Sequence, residues 1–123
     1  MSEEISKQNL KYKLDQAKVD TIDTGLTAVG TTRADALVLL KDTNNITTAA
    51  ASTGVVLPES LIGKRVRIYN NGANAIKVYA QGSETIDGTA GSTGVALTNA
   101  KRAEYECIAV NTWISAQLGV VSA

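Results

Sequence analysis

The chain has 123 residues, and its twelve basic and twelve acidic side chains give a formal net charge of zero. A chain of this length buries one core of useful size but hardly two, so we expect one domain plus an arm. Zero net charge provides no broad field to attract nucleic acid, and no apolar run approaches the ~20 residues of a membrane span. The composition therefore disfavours a nucleic-acid-binding protein and a membrane protein.

Residues 1–24 differ from the rest of the chain, because they hold nine of the 24 charged side chains and no glycine. Leu10, Tyr12 and Leu14 alternate with polar residues, a pattern that suits a strand with one buried face. Leu10 and Leu14 would also lie on one side of a helix. We expect an N-terminal arm, extended or partly helical, followed by a β domain over residues 25–123. The arm is either a solvated terminal segment or a segment that docks on a partner surface.

From Ala34 onward, short segments with β-type alternation are separated by Gly, Asn, Asp and Ser. The candidate strands are residues 34–41, 44–50, 63–70, 73–80, 93–98, 103–110 and 112–118. Many short strands with turn residues between them predict an all-β domain, a small β-sandwich or barrel of short antiparallel strands.

Residues 65–79 contain the clearest turn signal, since Asn71-Gly72 is the dipeptide that most favours a tight β-hairpin. Each of the two flanking strands has one aliphatic and one amphipathic face. The aliphatic residues are Val66, Ile68, Ile76 and Val78. Tyr69 and Tyr79 lie on the amphipathic faces, where they either pack on each other across the pair or form a subunit interface.

A short sequence echo occurs within the predicted domain. Residues 52–57, STGVVL, recur as residues 92–97, STGVAL, with five identities in six positions. Such an echo arises either by chance in a chain rich in Thr, Gly and Val or from a duplicated unit. A duplicated unit predicts two similar halves of a sandwich.

The side chains that carry most hydrolytic chemistry are missing. The chain has no histidine, so Ser-His-Asp and Cys-His catalysis and the common zinc sites are unavailable. Cys107 shares a face with Ala103, Tyr105 and Ala109, which favours a core position over a nucleophile, and a lone cysteine fits a reducing compartment. We expect no enzymatic activity, no catalytic residue, no metal, no cofactor and no small-molecule substrate.

Carboxylates remain as candidates for acid–base chemistry, because spacing alone does not exclude that they meet in the fold. The four candidates are Glu84, Asp87, Glu104 and Glu106. Nothing in the sequence pairs them, so we expect all four at the solvated surface.

A loose set of motifs between residues 34 and 120 resembles a domain of small structural proteins of tailed bacteriophages. The motifs are Gly54-Val55-Val56-Leu57-Pro58, Gly63, Arg67-Ile68-Tyr69-Asn70-Asn71-Gly72, Ile76-Lys77-Val78-Tyr79, Gly82, Ile86-Asp87-Gly88, Cys107 and Trp113. The family includes head decoration or cement proteins and head or tail fibre proteins. The resemblance implies a β-rich virion component that is often trimeric.

The resemblance implies a capsid decoration or cement protein that binds the major capsid protein on the outer capsid surface as a homotrimer and stabilises the shell. The alternative is a head fibre or a tail-associated structural protein for host attachment. Either protein would be made in the host cytoplasm and end on the virion. By analogy, the arm would bind the capsid, with Ile5, Leu10, Tyr12 and Leu14 as candidate contact residues.

Overall fold

The computed structural model describes residues 21–119, and this part of the chain is all-β, as predicted, with one short 3-10 turn at Arg33–Asp35. The strands are β1 Ile22–Ala28, β2 Leu37–Val38, β3 Thr43–Ala49, β4 Gly54–Val56, β5 Arg65–Asn70, β6 Ile76–Tyr79, β7 Thr85–Ile86, β8 Thr89–Ala90, β9 Val95–Leu97, β10 Lys101–Ala109 and β11 Thr112–Gly119. Strand β1 spans the predicted boundary between the arm and the β domain. The arm candidates lie outside the described residues; they are Ile5, Leu10, Tyr12 and Leu14.

The strands form two sheets, one of order β1-β3-β5-β10-β11-β7-β8 and one of order β2-β4-β6-β9. From β1 to β6 the chain changes sheet at every strand, and neighbouring strands within each sheet are parallel. This is the winding of a β-solenoid. After β6 the chain turns back, so that β9 pairs antiparallel with β6, and β10 pairs antiparallel with both β5 and β11. On its other side β11 pairs parallel with the short strand β7.

The expected antiparallel sandwich or barrel is therefore wrong for the wound part of the chain. Ile22 pairs with Thr43, and Thr43 pairs with Arg67, so equivalent residues of successive rungs lie 21 and 24 positions apart. A period-two pattern predicts that a segment is a strand and which face it buries, but it does not identify the partner strand. The pairing here depends on contacts between distant segments.

The predicted hairpin between β5 and β6 is also wrong. Strand β5 pairs with β3 and β10 in the larger sheet, whereas β6 pairs with β4 and β9 in the smaller sheet. The Asn71 N–H donates to the Ile46 carbonyl at 2.8 Å, so this connection links two rungs. A Cβ atom at Gly72 would lie 2.5 Å from the Ala49 Cβ, so close packing between rungs requires glycine there.

The two STGV segments contain β4 and β9, and these strands flank β6 in the same sheet. Strand β4 is parallel to β6 and β9 is antiparallel to it, so the segments are not the two halves of a sandwich. Instead, each segment places a glycine against the same aromatic ring, that of Tyr79. A Cβ atom added at Gly54 would lie 2.7 Å from this ring, and one added at Gly94 would lie 2.8 Å from it.

The core lies between the two sheets and is mainly aliphatic. Alternation predicted four aliphatic side chains on the inner faces of β5 and β6, namely Val66, Ile68, Ile76 and Val78. All four are buried, which confirms the prediction. The largest buried side chains, Trp113 and Tyr105, come from β11 and β10. Cys107 is also buried in this core, where its alternating neighbours predicted it.

Candidate interaction surfaces

No group of three or more His, Cys, Asp or Glu side chains within residues 21–119 is placed to hold a metal ion. The same residues contain no helix that is long and apolar enough to cross a membrane.

Glu84 is buried, contrary to its expected surface position, and both of its carboxylate oxygens accept hydrogen bonds. The Trp113 Nε1–H donates to Oε1 at 2.9 Å, and the Ser60 backbone N–H donates to Oε2 at 3.2 Å. The carboxylate thus connects the loop before β5 to the indole of β11. Because its oxygens serve these two donors, Glu84 has a structural role.

Asp87 is exposed and accepts hydrogen bonds from Ser115, from the backbone N–H at 2.8 Å and from the hydroxyl at 2.5 Å. Behind this pair, the hydroxyl of Tyr105 is buried and has no hydrogen-bond partner within the described part of the chain. Burial raises the pKa of the Tyr105 phenol, and the nearby Asp87 carboxylate raises it further. The phenol therefore stays neutral over the physiological pH range.

One end of the larger sheet carries a concentration of exposed aliphatic side chains, which we call the corner surface. It consists of Ile22, Leu40, Leu61, Ile62, Ile108 and Val110. Their exposed fractions range from 51% to 79%. They lie at the start of β1, before β3, before β5 and at the end of β10. The parallel winding places the starts of β1, β3 and β5 at the same end of the sheet, and the end of β10 lies beside the start of β5.

Hydrogen bonds join the successive segments of the corner surface. The Thr43 N–H donates to the Thr21 carbonyl at 2.9 Å, and the Arg67 N–H donates to the Asp42 carbonyl at 2.7 Å. The Gly63 N–H donates to the Cys107 carbonyl at 2.7 Å. Each segment is therefore held directly against the next, and the apolar side chains sit on a rigid backbone.

Charged side chains around the corner surface pair with one another. Lys64 Nζ lies 3.9 Å from Asp42 Oδ1, and Arg65 Nε lies 3.3 Å from Glu106 Oε2. Next to them is a shallow pocket of about 310 Å³; it is lined by Ser60, Leu61, Ile62, Cys107, Val110 and Asn111. An apolar patch with a polar rim is the usual anatomy of a protein–protein contact.

A second depression, of about 250 Å³, lies on the outer face of β5, β10 and β11. Its lining includes Tyr69, Arg102 and Leu118, and the Arg102 guanidinium carbon lies 5.9 Å from the centre of the Tyr69 ring. Tyr69 is half-buried, and its role in a subunit interface stays a prediction.

Tyr79 occupies a different environment from Tyr69. It belongs to the smaller sheet and packs with Ala36 and Val56, where only 6% of its surface is exposed. The expected packing of Tyr69 on Tyr79 is therefore wrong, because the two strands do not pair. The Tyr79 ring lies against Gly54 and Gly94 of its own chain.

Sequence reasoning did not identify the corner surface. A usable signal exists in Leu61-Ile62, two adjacent large aliphatic residues outside any alternating segment and next to Gly63. Adjacent residues in extended backbone point in opposite directions, so both are hard to bury at once. Of the other corner residues, Ile22 and Ile108 lie within β1 and β10, and Leu40 and Val110 lie just outside strands. None of these four carries a comparable signal.

Comparison with known proteins finds no matching family, no similar curated protein and no similar solved structure.

Proposed function

We propose that this chain is a non-enzymatic structural protein of a tailed-phage virion, a capsid decoration or cement protein that binds the outer capsid surface as an oligomer and stabilises the shell. The observation that carries the proposal is the corner surface, a cluster of exposed aliphatic side chains on a rigid all-β scaffold. The resemblance of the motifs between residues 34 and 120 supplies the virion context. The partner is the major capsid protein.

The mechanism is burial of contact area. Removing apolar surface from water contributes roughly 25 cal/mol for each Å², so several aliphatic side chains at one corner provide a substantial driving force. Because the segments of the corner are hydrogen-bonded to one another, little order is lost on binding. In a homotrimer, three such corners would bind together, and the linkage between copies would raise the overall affinity.

The corner surface can be tested by cosedimentation with empty capsids of the phage that encodes the chain. The double variant Leu61→Glu, Ile62→Glu should bind about a hundredfold more weakly, since each buried aliphatic side chain contributes roughly 1.5 kcal/mol or more. The matched control Val29→Glu, Thr48→Glu adds the same charge at exposed positions near the ends of β1 and β3, opposite to the corner. Equal binding by both double variants would remove the corner from the contact.

The arm candidates are tested by deleting residues 1–20. The proposal that Ile5, Leu10, Tyr12 and Leu14 contact the capsid predicts lower occupancy of the truncated protein on empty capsids. Unchanged occupancy would show that the arm is not needed for binding. A head fibre or tail-associated protein, the second possibility from the resemblance, would instead bind purified tails or a single vertex.

A further inference from the structure

Strand β11 has an open edge along its second half. Strand β10 pairs with β11 along its whole length, whereas β7 pairs with it only at Thr112 and Trp113. Within residues 21–119, no other strand lies on that side of β11. The backbone from Ser115 to Gly119 therefore ends the sheet at this point.

Hydrogen bonds define which backbone groups face this edge. The Asp87 N–H donates to the Trp113 carbonyl at 2.9 Å, and the Ser115 N–H donates to Asp87 Oδ1 at 2.8 Å. Alternate residues of a strand direct their backbone groups to the same side, so the N–H of Gln117 also faces away from β10. Asp87 covers the edge only at Ser115.

The side chains beside the edge differ between its two faces. On the outer face, Ile114 and Leu118 are 41% and 48% exposed, and Ala116 between them is also exposed. On the other side lies the exposed carboxylate of Asp87, bound to Ser115. A strand added here would meet aliphatic side chains on one face and a negative charge on the other.

We propose that the edge of β11 from Ser115 to Gly119 accepts an extended strand by β-sheet addition, and that the occupant is residues 9–15 of a second copy of this chain. In that segment Leu10, Tyr12 and Leu14 alternate with polar residues, including Lys11 and Lys13. When extended, it would place its apolar face beside Ile114 and Leu118 and its lysines beside Asp87. The match of both faces selects this segment.

The distance across the sheet assigns the segment to a second copy. Strand β1 and the added strand would be separated by five inter-strand spacings of ~4.8 Å, roughly 24 Å in all. The six steps from Asp15 to Thr21 span at most roughly 22 Å when fully extended. A path around the side chains of the outer face is longer still, so the arm of the same chain cannot place residues 9–15 along β11.

This contact between copies does not require the capsid. Under it, Leu10, Tyr12 and Leu14 contact a neighbouring copy, and the corner surface stays available for the capsid. The edge of β11 and the capsid therefore compete for the same three arm residues, and experiments without capsid separate the two assignments.

The edge is tested with the full chain by analytical ultracentrifugation. Gln117→Pro removes the outward N–H, which a proline at an edge position does without breaking the ladder to β10. Its control is Gln117→Ala. Both variants lose the 2.9 Å hydrogen bond that Gln117 Nε2 donates to the Ala96 carbonyl, but the alanine variant keeps the backbone N–H at position 117. We expect Gln117→Pro to self-associate about tenfold more weakly than Gln117→Ala, which corresponds to a loss of about 1.4 kcal/mol in the free energy of association.

A second variant tests the occupant without changing any of residues 21–119. Leu10→Lys, Leu14→Lys should weaken self-association as much as Gln117→Pro does, and combining the two changes should add little. A crosslink formed between Tyr12→Cys of one tagged copy and Ala116→Cys of a differently tagged copy would support the pairing directly.

Three outcomes would overturn the proposal. The first is a monomeric wild-type chain at all concentrations, and the second is equal association of Gln117→Pro and Gln117→Ala. The third is loss of association in Gln117→Pro with full association in Leu10→Lys, Leu14→Lys, which would mean that two β11 edges pair with each other.

Discussion

The wound region from β1 to β6 and the antiparallel region from β7 to β11 fill the same core with different kinds of side chain. The wound region contributes aliphatic residues of moderate size from both sheets, for example Ile46, Val55 and Val78. The antiparallel region contributes the two largest buried side chains, Trp113 and Tyr105, and Glu84, directly before β7, adds a buried carboxylate. The two regions therefore differ in the size of their largest buried side chains and in the presence of a buried carboxylate.

The difference follows from the geometry of the two regions. In the wound region, aliphatic side chains stack between the sheets, and the buried Asn44 and Asn70 side chains donate hydrogen bonds to backbone carbonyls. After the winding the chain reverses direction, and the aromatic side chains of Tyr105 in β10 and Trp113 in β11 fill the core there. Glu84 accepts hydrogen bonds from Trp113 in β11 and from Ser60 before β5, and so connects the two regions.

The largest expected effect is loss of aliphatic packing in the wound region. Ile46→Ala should lower the free energy of unfolding by about 3–4 kcal/mol, because Ile46 is fully buried and its removal leaves a cavity. Thr47→Ala, at an exposed position next to it, is the control and should change stability by less than about 0.5 kcal/mol. Urea unfolding measures both. A small effect of Ile46→Ala would mean that the rungs do not share one packed core.

A smaller effect is expected for the polar fastening of the antiparallel region. Glu84→Leu removes the acceptor of the Trp113 indole and of the Ser60 N–H, and we expect a loss of about 2–3 kcal/mol. Glu84→Gln keeps one oxygen acceptor and should lose less. Both are measured by urea unfolding followed through the fluorescence of the chain's single tryptophan. Equal stability of the wild type and Glu84→Leu would contradict the role of the carboxylate.

The smallest effect at neutral pH is expected for Tyr105→Phe, because the Tyr105 hydroxyl is buried without a partner. The variant should be within about 0.5 kcal/mol of the wild type, or more stable. The pKa of the Tyr105 phenol is raised in the folded protein, so above pH 10 the phenol of the unfolded chain loses its proton while that of the folded protein keeps it. The free energy of unfolding of the wild type therefore falls as the pH rises past 10. Thermal unfolding at pH 7 and pH 11 should show a smaller loss in Tyr105→Phe. An equal alkaline loss in both proteins would contradict this.

The strands and their inward faces could be predicted from the sequence where alternation was clear. In β5, Val66 and Ile68 are buried and Arg65 and Arg67 are exposed, as the period of two requires. Strand β1 was missed, because Gly25 interrupts its pattern; Gly25 has a φ of +71°, and the register shifts between Asp23 and Leu26. A bulged edge of this kind also limits pairing with another chain.

The winding was not predicted, because alternation carries no information on which segments pair. One weak signal exists, since Thr27-Ala28 and Thr48-Ala49 are aligned in register between β1 and β3. Asn71-Gly72 was misinterpreted for a related reason: glycine is needed there for contact with Ala49, and a tight turn is only one cause of such a dipeptide.

The candidate surface was even less predictable than the fold. Exposure of Leu40 and Val110 depends on the segments that the winding brings beside them, so no local pattern marks these residues. The burial of Glu84 likewise depends on Trp113, which lies 29 residues further along the chain. Surfaces and buried polar pairs therefore became visible only once the topology was known.

The most direct measurement is a reconstruction of the virion of the phage that encodes this chain. The proposed function predicts density for the protein on the outer face of the capsid, with the corner surface of Leu61 and Ile62 turned toward the shell. Density confined to the tail, or particles without the protein, would contradict a capsid decoration protein.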